Sequence, residues 1–131
     1  MTVREEIELR LPATPDQLSL LRTVAGAVAM RADFDLDAIA DLKIAVDEAC
    51  SMLIVCAAAH STMRCVFGTD EEGITVGSEV HSAGETRLDE TAFGWHVLST
   101  LTDSVSWTSG GEGDQTRLCL QLAVRRKADR P

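Results

Sequence analysis

Two adjacent carboxylates, Asp47 and Glu48, sit in the middle of the otherwise apolar stretch Asp41–Ala59. A carboxylate set in apolar surroundings can border a pocket and serve as a proton acceptor or a ligand for a hard cation. The spacing around the pair predicts one helix. Leu42, Ala45, Val46, Ala49, Leu53 and Cys56 recur at helical intervals and form a buried stripe, while Lys43, Asp47 and Ser51 follow one another at i+4 and make the wet face. At about 100° per residue, Glu48 falls beside Asp41, Ile44, Met52 and Val55, on the flank between core and solvent. That flank makes Glu48 the first candidate for chemistry; the plain alternative is a solvated helix glutamate.

Other reactive residue types give weaker patterns. His60, His81 and His96 are scattered and pair with no cysteine or carboxylate at ligand spacing, so the sequence supports no metal site. The four cysteines, Cys50, Cys56, Cys65 and Cys119, form no CxxC pair and read as small core residues in a reducing compartment. Gly110, Gly111 and Gly113 lie between two strand patterns rather than between strand and helix, which predicts a hairpin turn instead of a phosphate loop.

At 131 residues the chain is read as a single domain over 1–131. Its net charge of −9, from 21 acids against 12 bases, argues against direct nucleic-acid binding, which calls for a basic face. The N-terminal Met-Thr-Val-Arg-Glu-Glu shows no apolar signal segment, and the apolar run near Ala49–Ala59 is shorter than the ~20 residues of a membrane helix. A cytoplasmic location is expected.

The elements around the central helix follow from pattern. Val3–Leu11 alternates charged and apolar residues, a half-buried strand ended by Pro12. Thr14 as cap and Pro15 in the first turn predict a helix through Leu18, Leu21, Val24, Ala25 and Val28 to about Met30. In the linker Asp33–Asp37, either Asp35 or Asp37 caps the central helix. A hairpin follows, with Met63, Cys65 and Phe67 alternating, an acidic turn Thr69–Gly73, and a strand Ile74–Val80. His81–Glu90 reads as a loop and Thr91–Leu101 as a shorter helix with Phe93, Val97, Leu98 and Leu101 inward. Val105 and Trp107 begin a strand, Ser109–Asp114 a turn, and Leu118–Val124 a last strand before a basic tail, 126–131, expected to fray. The order β-α-α-β-β-α-β-β predicts an α+β fold, a two-layer sandwich of an antiparallel-rich mixed sheet and about three helices.

Leu42-Lys-Ile-Ala-Val-Asp-Glu-Ala-Cys-Ser51 resembles the first motif helix of bacterial anti-sigma factors with serine-kinase activity, members of the histidine-kinase-like ATPase superfamily. Ala92-Phe-Gly-Trp-His-Val-Leu98 is similar to the glycine-bearing helix start that wraps nucleotide phosphates in that family, and the element order agrees over nearly the whole chain. The resemblance implies a histidine-kinase-like ATPase fold, a homodimer, and two partners: an alternative sigma factor, as in stress-response regulation, and an anti-anti-sigma (STAS-type) antagonist. It places Glu48 at the catalytic glutamate, Gly84 and Gly94 at the remnants of the two glycine motifs, and the loop Ser82–Glu90 at the nucleotide lid, where Arg87 is the one cation. The departures are chemical. Met52 stands where the family keeps an Asn that helps hold Mg²⁺, and a thioether is a poor ligand for a hard cation. Val80-His-Ser-Ala-Gly84 lacks the adenine-binding Asp, and Glu79 points to the opposite face on strand parity. The expected function is therefore an anti-sigma factor with weak or lost ATP and Mg²⁺ binding, the alternative an ATP-Mg²⁺ serine kinase with Glu48 as base and Asp47 as a displaced metal ligand. Asp33, Asp35, Asp37 and Asp41 are the candidate partner-binding edge; a solvated face is their plain reading. Trp95 and Trp107 are either core or, if exposed, interface anchors.

Overall fold

Alternation of charged and apolar residues from Glu5 to Pro12 produces β1, with Leu11 buried and Ile7 and Leu9 half-buried on one face. The computed structural model describes residues 5–84, 87–111 and 115–126. Thr14 does not cap the next helix: its hydroxyl bonds to the Asp16 carboxylate, and Pro15–Gln17 makes a 3₁₀ turn before α1, Leu18–Arg31. The end of α1 is a Schellman closure. Asp33 takes the left-handed conformation (φ 61°), Phe34 N donates to Ala29 O at 3.0 Å and Asp33 N to Met30 O at 3.1 Å. Asp35 then caps α2, Leu36–Cys56, its carboxylate accepting from Ala38 N at 2.8 Å. A single helix therefore carries the Asp47–Glu48 pair, as its apolar periodicity predicts.

The rest of the chain is sheet with one inserted helix: β2 (Thr62–Thr69), β3 (Gly73–Ala83), α3 (Phe93–Leu101), β4 (Ser104–Gly110) and β5 (Gln115–Arg125). The strands lie in the order β1-β2-β3-β5-β4, and every pairing is antiparallel, so the expected mixed sheet contains no parallel pair. Asp70 shapes the β2–β3 turn by accepting from Glu72 N (2.7 Å) and Gly73 N (3.1 Å). Gly73 has φ +153°, and a Cβ there would collide with the Val124 carbonyl.

The helices cover one face. Leu21, Ala25, Val28 and Ala29 of α1 and Leu42, Ala45, Val46, Ala49, Cys50 and Leu53 of α2 meet Met63, Cys65, Phe67, Ile74, Val76, Val80, Leu118, Leu120 and Leu122 of the sheet in one core. Cys50 replaces Cys56 in the stripe expected from spacing, Cys56 being only half-buried near the end of α2. Trp95 and Trp107 are half-buried and pack against the core.

Three further expectations need correction. β3 does not stop at Val80: His81, Ser82 and Ala83 pair with Arg117, Thr116 and Gln115 of β5, a long-range ladder that local polarity does not reveal. The β4 strand likewise takes in Ser109 and Gly110, which the sequence assigns to a turn. α3 starts at Phe93, and Phe93 is 82% exposed instead of inward, leaving Leu98 as its buried anchor. Arg125 is in β5, and Arg126 donates to Ala32 O and to Asp70 O (3.4 Å) while lying 5.5 Å from the Phe34 ring centroid; 127–131 fall outside the described residues.

On the uncovered face Glu8 bonds Arg10 (2.8 Å) and Arg64 (2.9 Å), and Glu79 lies near Arg64 (3.7 Å) and Arg117 (3.6 Å). Arg64 first and Arg10 second hold the Glu8 carboxyl below its ordinary value. Exposed pairs of this kind contribute little to stability. Among the described residues no helix is long and apolar enough to cross a membrane. Removing a core side chain is the sensitive test: Leu53→Ala, at 0% exposure, should lower stability by about 2–5 kcal/mol, against about 1 kcal/mol for the cap change Asp35→Ala, both read by urea denaturation.

Candidate functional site

Glu48 leaves the flank of α2 half-buried and reaches the first turn of α3, where Gly94 is the second residue. A Cβ built on Gly94 would collide with Glu48 Oε1, so the carboxylate fills the space that any other residue at 94 would occupy. Among the described residues Glu48 has no hydrogen-bond or ion-pair partner. Met52, one turn further along α2, is half-buried and packs against the core, so it places a thioether and no oxygen beside Glu48. Asp47 points away to α1, where it binds Arg22 Nη1 at 2.5 Å. That ion pair commits Asp47 to the α1–α2 contact and removes it as a substitute ligand next to Glu48.

The two remnant glycines are treated differently by the fold. Gly94 joins Glu48, whereas Gly84, just beyond β3 with φ +81°, has no atom within 4 Å of the position of a side chain. Ser82, 1% exposed, ties off this end of β3 by donating to Gly84 O (3.1 Å) and Thr116 O (3.4 Å). Val80–Gly84, where the resemblance expects the adenine-binding Asp, contains no carboxylate. Glu79 faces the opposite side, as parity predicts, where it accepts from Cys119 Sγ at 3.4 Å and approaches Arg64 and Arg117.

The described part of the lid position is pinned down. Leu88 is buried in the core, the Arg87 guanidinium lies 5.8 Å from the Trp107 ring centroid, and Trp107 Nε1 donates to Glu90 Oε2 at 2.8 Å. Asp89 Oδ1 accepts from Thr91 N (2.9 Å) and Thr91 Oγ1 (2.5 Å), bonds that hold the Asp89 carboxyl below its ordinary value and lead the chain into α3. Arg87, the one cation the sequence offers for phosphate, thus lies against an aromatic face. His96 is exposed on α3.

Of the four candidate partner-binding acids, Asp33, Asp35 and Asp41 line a groove of about 520 Å³ with Phe34, Asp103, Arg125 and Arg126. Asp37 is exposed but does not line it. Asp103 was not foreseen; it reaches the groove because the α3–β4 turn folds beside the start of α2, and its Oδ2 accepts from Arg125 N at 2.6 Å. Asp35 has a second duty as the α2 cap.

A cation held for phosphoryl transfer requires several oxygen donors around one point. With a thioether at Met52, Asp47 bound to Arg22 and Glu48 packed on Gly94, the residues do not fit an ATP-bound Mg²⁺.

The fold and the Glu48–Gly94 arrangement define a class: residues 11–120 match the histidine kinase-like ATPase domain, and the chain belongs to that family. Within it, the chain is similar to proteins named as an anti-sigma factor and as serine-protein kinases. It is 37% identical over 99 residues to the anti-sigma-F factor RsbW of Mycobacterium tuberculosis, covering 76% of this chain and 59% of that protein. It is 40% identical over 75 residues to the serine-protein kinase RsbW of Listeria monocytogenes, 57% of this chain and 43% of that one, and 28% identical over 121 residues to that of Bacillus cereus, 77% and 76%. The chain therefore spans about half the length of the first two curated relatives.

The Glu48–Gly94 contact predicts a specific response. The colliding atom ends a flexible side chain, and alanine is the better helix former by about 1 kcal/mol. Gly94→Ala should displace the carboxylate yet change stability by no more than about 1 kcal/mol in either direction. A loss above about 3 kcal/mol in chemical denaturation would show the carboxylate to be rigidly held.

Proposed function

We propose that this chain is an anti-sigma factor that sequesters an alternative sigma factor and gives it up to an anti-anti-sigma antagonist of the STAS type. The observation that carries this reading is the set Glu48–Met52–Gly94: the family glutamate is present, but it packs on the phosphate-loop glycine and has no oxygen donor one turn away. A carboxylate at that point repels nucleotide phosphates unless a cation intervenes. Regulation then rests on exchange of protein partners, in the cytoplasm and from a homodimer, without direct nucleic-acid contact. The acidic groove of Asp33, Asp35 and Asp41 suits a basic element of one partner.

A second reading, an active serine kinase acting on the antagonist with Glu48 as base, is favoured by the position of Glu48 and by the names of the Listeria and Bacillus relatives. Calorimetry separates the two. Titration with ATP and Mg²⁺ should give no saturating heat up to millimolar nucleotide; saturable binding together with phosphotransfer lost in Glu48→Ala would establish the kinase instead. In co-purification the cognate sigma factor should remain bound to Glu48→Ala. Asp33→Asn/Asp41→Asn should weaken retention of one partner by about tenfold or more, with the effect growing as salt is lowered.

A further inference from the structure

Beneath α2, on the side away from Glu48, three small polar groups meet inside the core. Cys50 of α2 and Cys65 of β2 are both 0% exposed, and Ser78 of β3, the cross-strand partner of Cys65, is 3% exposed. The Ser78 hydroxyl lies 3.2 Å from Cys65 Sγ and 3.7 Å from Cys50 Sγ. The neighbouring thiol pushes Cys50 well up from its ordinary value, with burial adding to it, and holds Cys65 below its own. Of the two thiols Cys65 is the more readily ionised, and the thiolate is the nucleophile.

A buried lone cysteine is inert packing. This arrangement differs because two buried sulfurs flank one hydroxyl, which places a resolving thiol close to an oxidised one. We propose that Cys50 and Cys65 form an oxidation site, in which a hydroperoxide closes a disulfide that ties α2 to the sheet. Cys65 sulfur attacks the peroxide; the O–O bond breaks, one oxygen stays on sulfur as the sulfenic acid and the other leaves as water or alcohol with the second proton. Cys50 sulfur then displaces the sulfenic oxygen, which leaves as water with the Cys50 proton. Two electrons pass from the thiol pair to the peroxide. Burial restricts the oxidant to a small one such as hydrogen peroxide. The bond draws the sulfurs to about 2.05 Å, so α2 moves towards β2 and carries Asp47 and Glu48 with it. Oxidation thereby acts on the helix at the centre of the candidate site. Cys56 and Cys119 are outside this cluster: Cys56 is half-buried near the end of α2, and Cys119 donates to Glu79 on the other face of the sheet.

The test needs only the intact protein and hydrogen peroxide. After treatment, the chain is unfolded in iodoacetamide, weighed and digested with trypsin. The expected product is about 2 Da lighter before alkylation, with two thiols lost and peptide 44–64 joined to peptide 65–87. The join should persist in Cys56→Ser/Cys119→Ser, disappear in Cys65→Ser, and reverse with dithiothreitol. Alkylation of both Cys50 and Cys65 after an exposure that oxidises Cys119 would overturn the proposal, as would sulfinic or sulfonic acid at either position without the linked peptide. Because the linked peptide is read directly in the unsubstituted chain, poor folding of a serine variant does not obscure the result.

Discussion

The packing of α2 across the inner face of the sheet is the constraint on which the other features depend. Leu42, Ala45, Val46, Ala49, Cys50 and Leu53 are all buried at this contact, and small residues at three of the six positions let the helix lie close to the strands. The same placement fixes what the helix can show outside. Once that stripe faces the sheet, Asp47 turns to Arg22 of α1 and Glu48 to Gly94 of α3. The two carboxylates are adjacent in sequence but belong to different contacts. One joins two helices as an ion pair; the other rests against a glycine.

The departures from the family pattern have a consistent physical character. Met52 carries a thioether in place of an oxygen, Val80–Gly84 contains no carboxylate, and Arg87 stacks on Trp107. Each replaces a group suited to charged, hydrated ligands with an apolar or aromatic contact. Beside them, Ile44 and Val55 of α2 and Phe93 of α3 leave apolar side chains exposed.

Much of this was legible in the sequence because it is periodic. The 3.6-residue repeat located α2 and most of its stripe, period-2 alternation located β1, β2 and β5, and residue type narrowed the α2 cap to Asp35 or Asp37. The parity of β3 placed Glu79 on the far face. Contacts that close over long separations were not legible. The last residues of β3 look polar and loop-like, yet they are strand because β5 lies alongside them. Phe93 looks like a core residue by hydropathy, but the helix start leaves it outside. The meeting of Cys50 with Cys65, and of Asp103 with the α2 acids, depends on tertiary approach that no local pattern encodes.

The order of pairing in the sheet has a temporal consequence. β2 with β3, and β4 with β5, are joined by short turns, but β1 pairs with β2 only across the whole of α1 and α2. The earliest of the strands to leave the ribosome is thus unable to pair until both helices have been made, and its closure carries the larger loop entropy. Until then its alternating apolar face is exposed on an unpaired strand. The charges at Glu5, Glu6, Glu8 and Arg10 keep that waiting segment soluble and discourage it from joining a neighbouring chain.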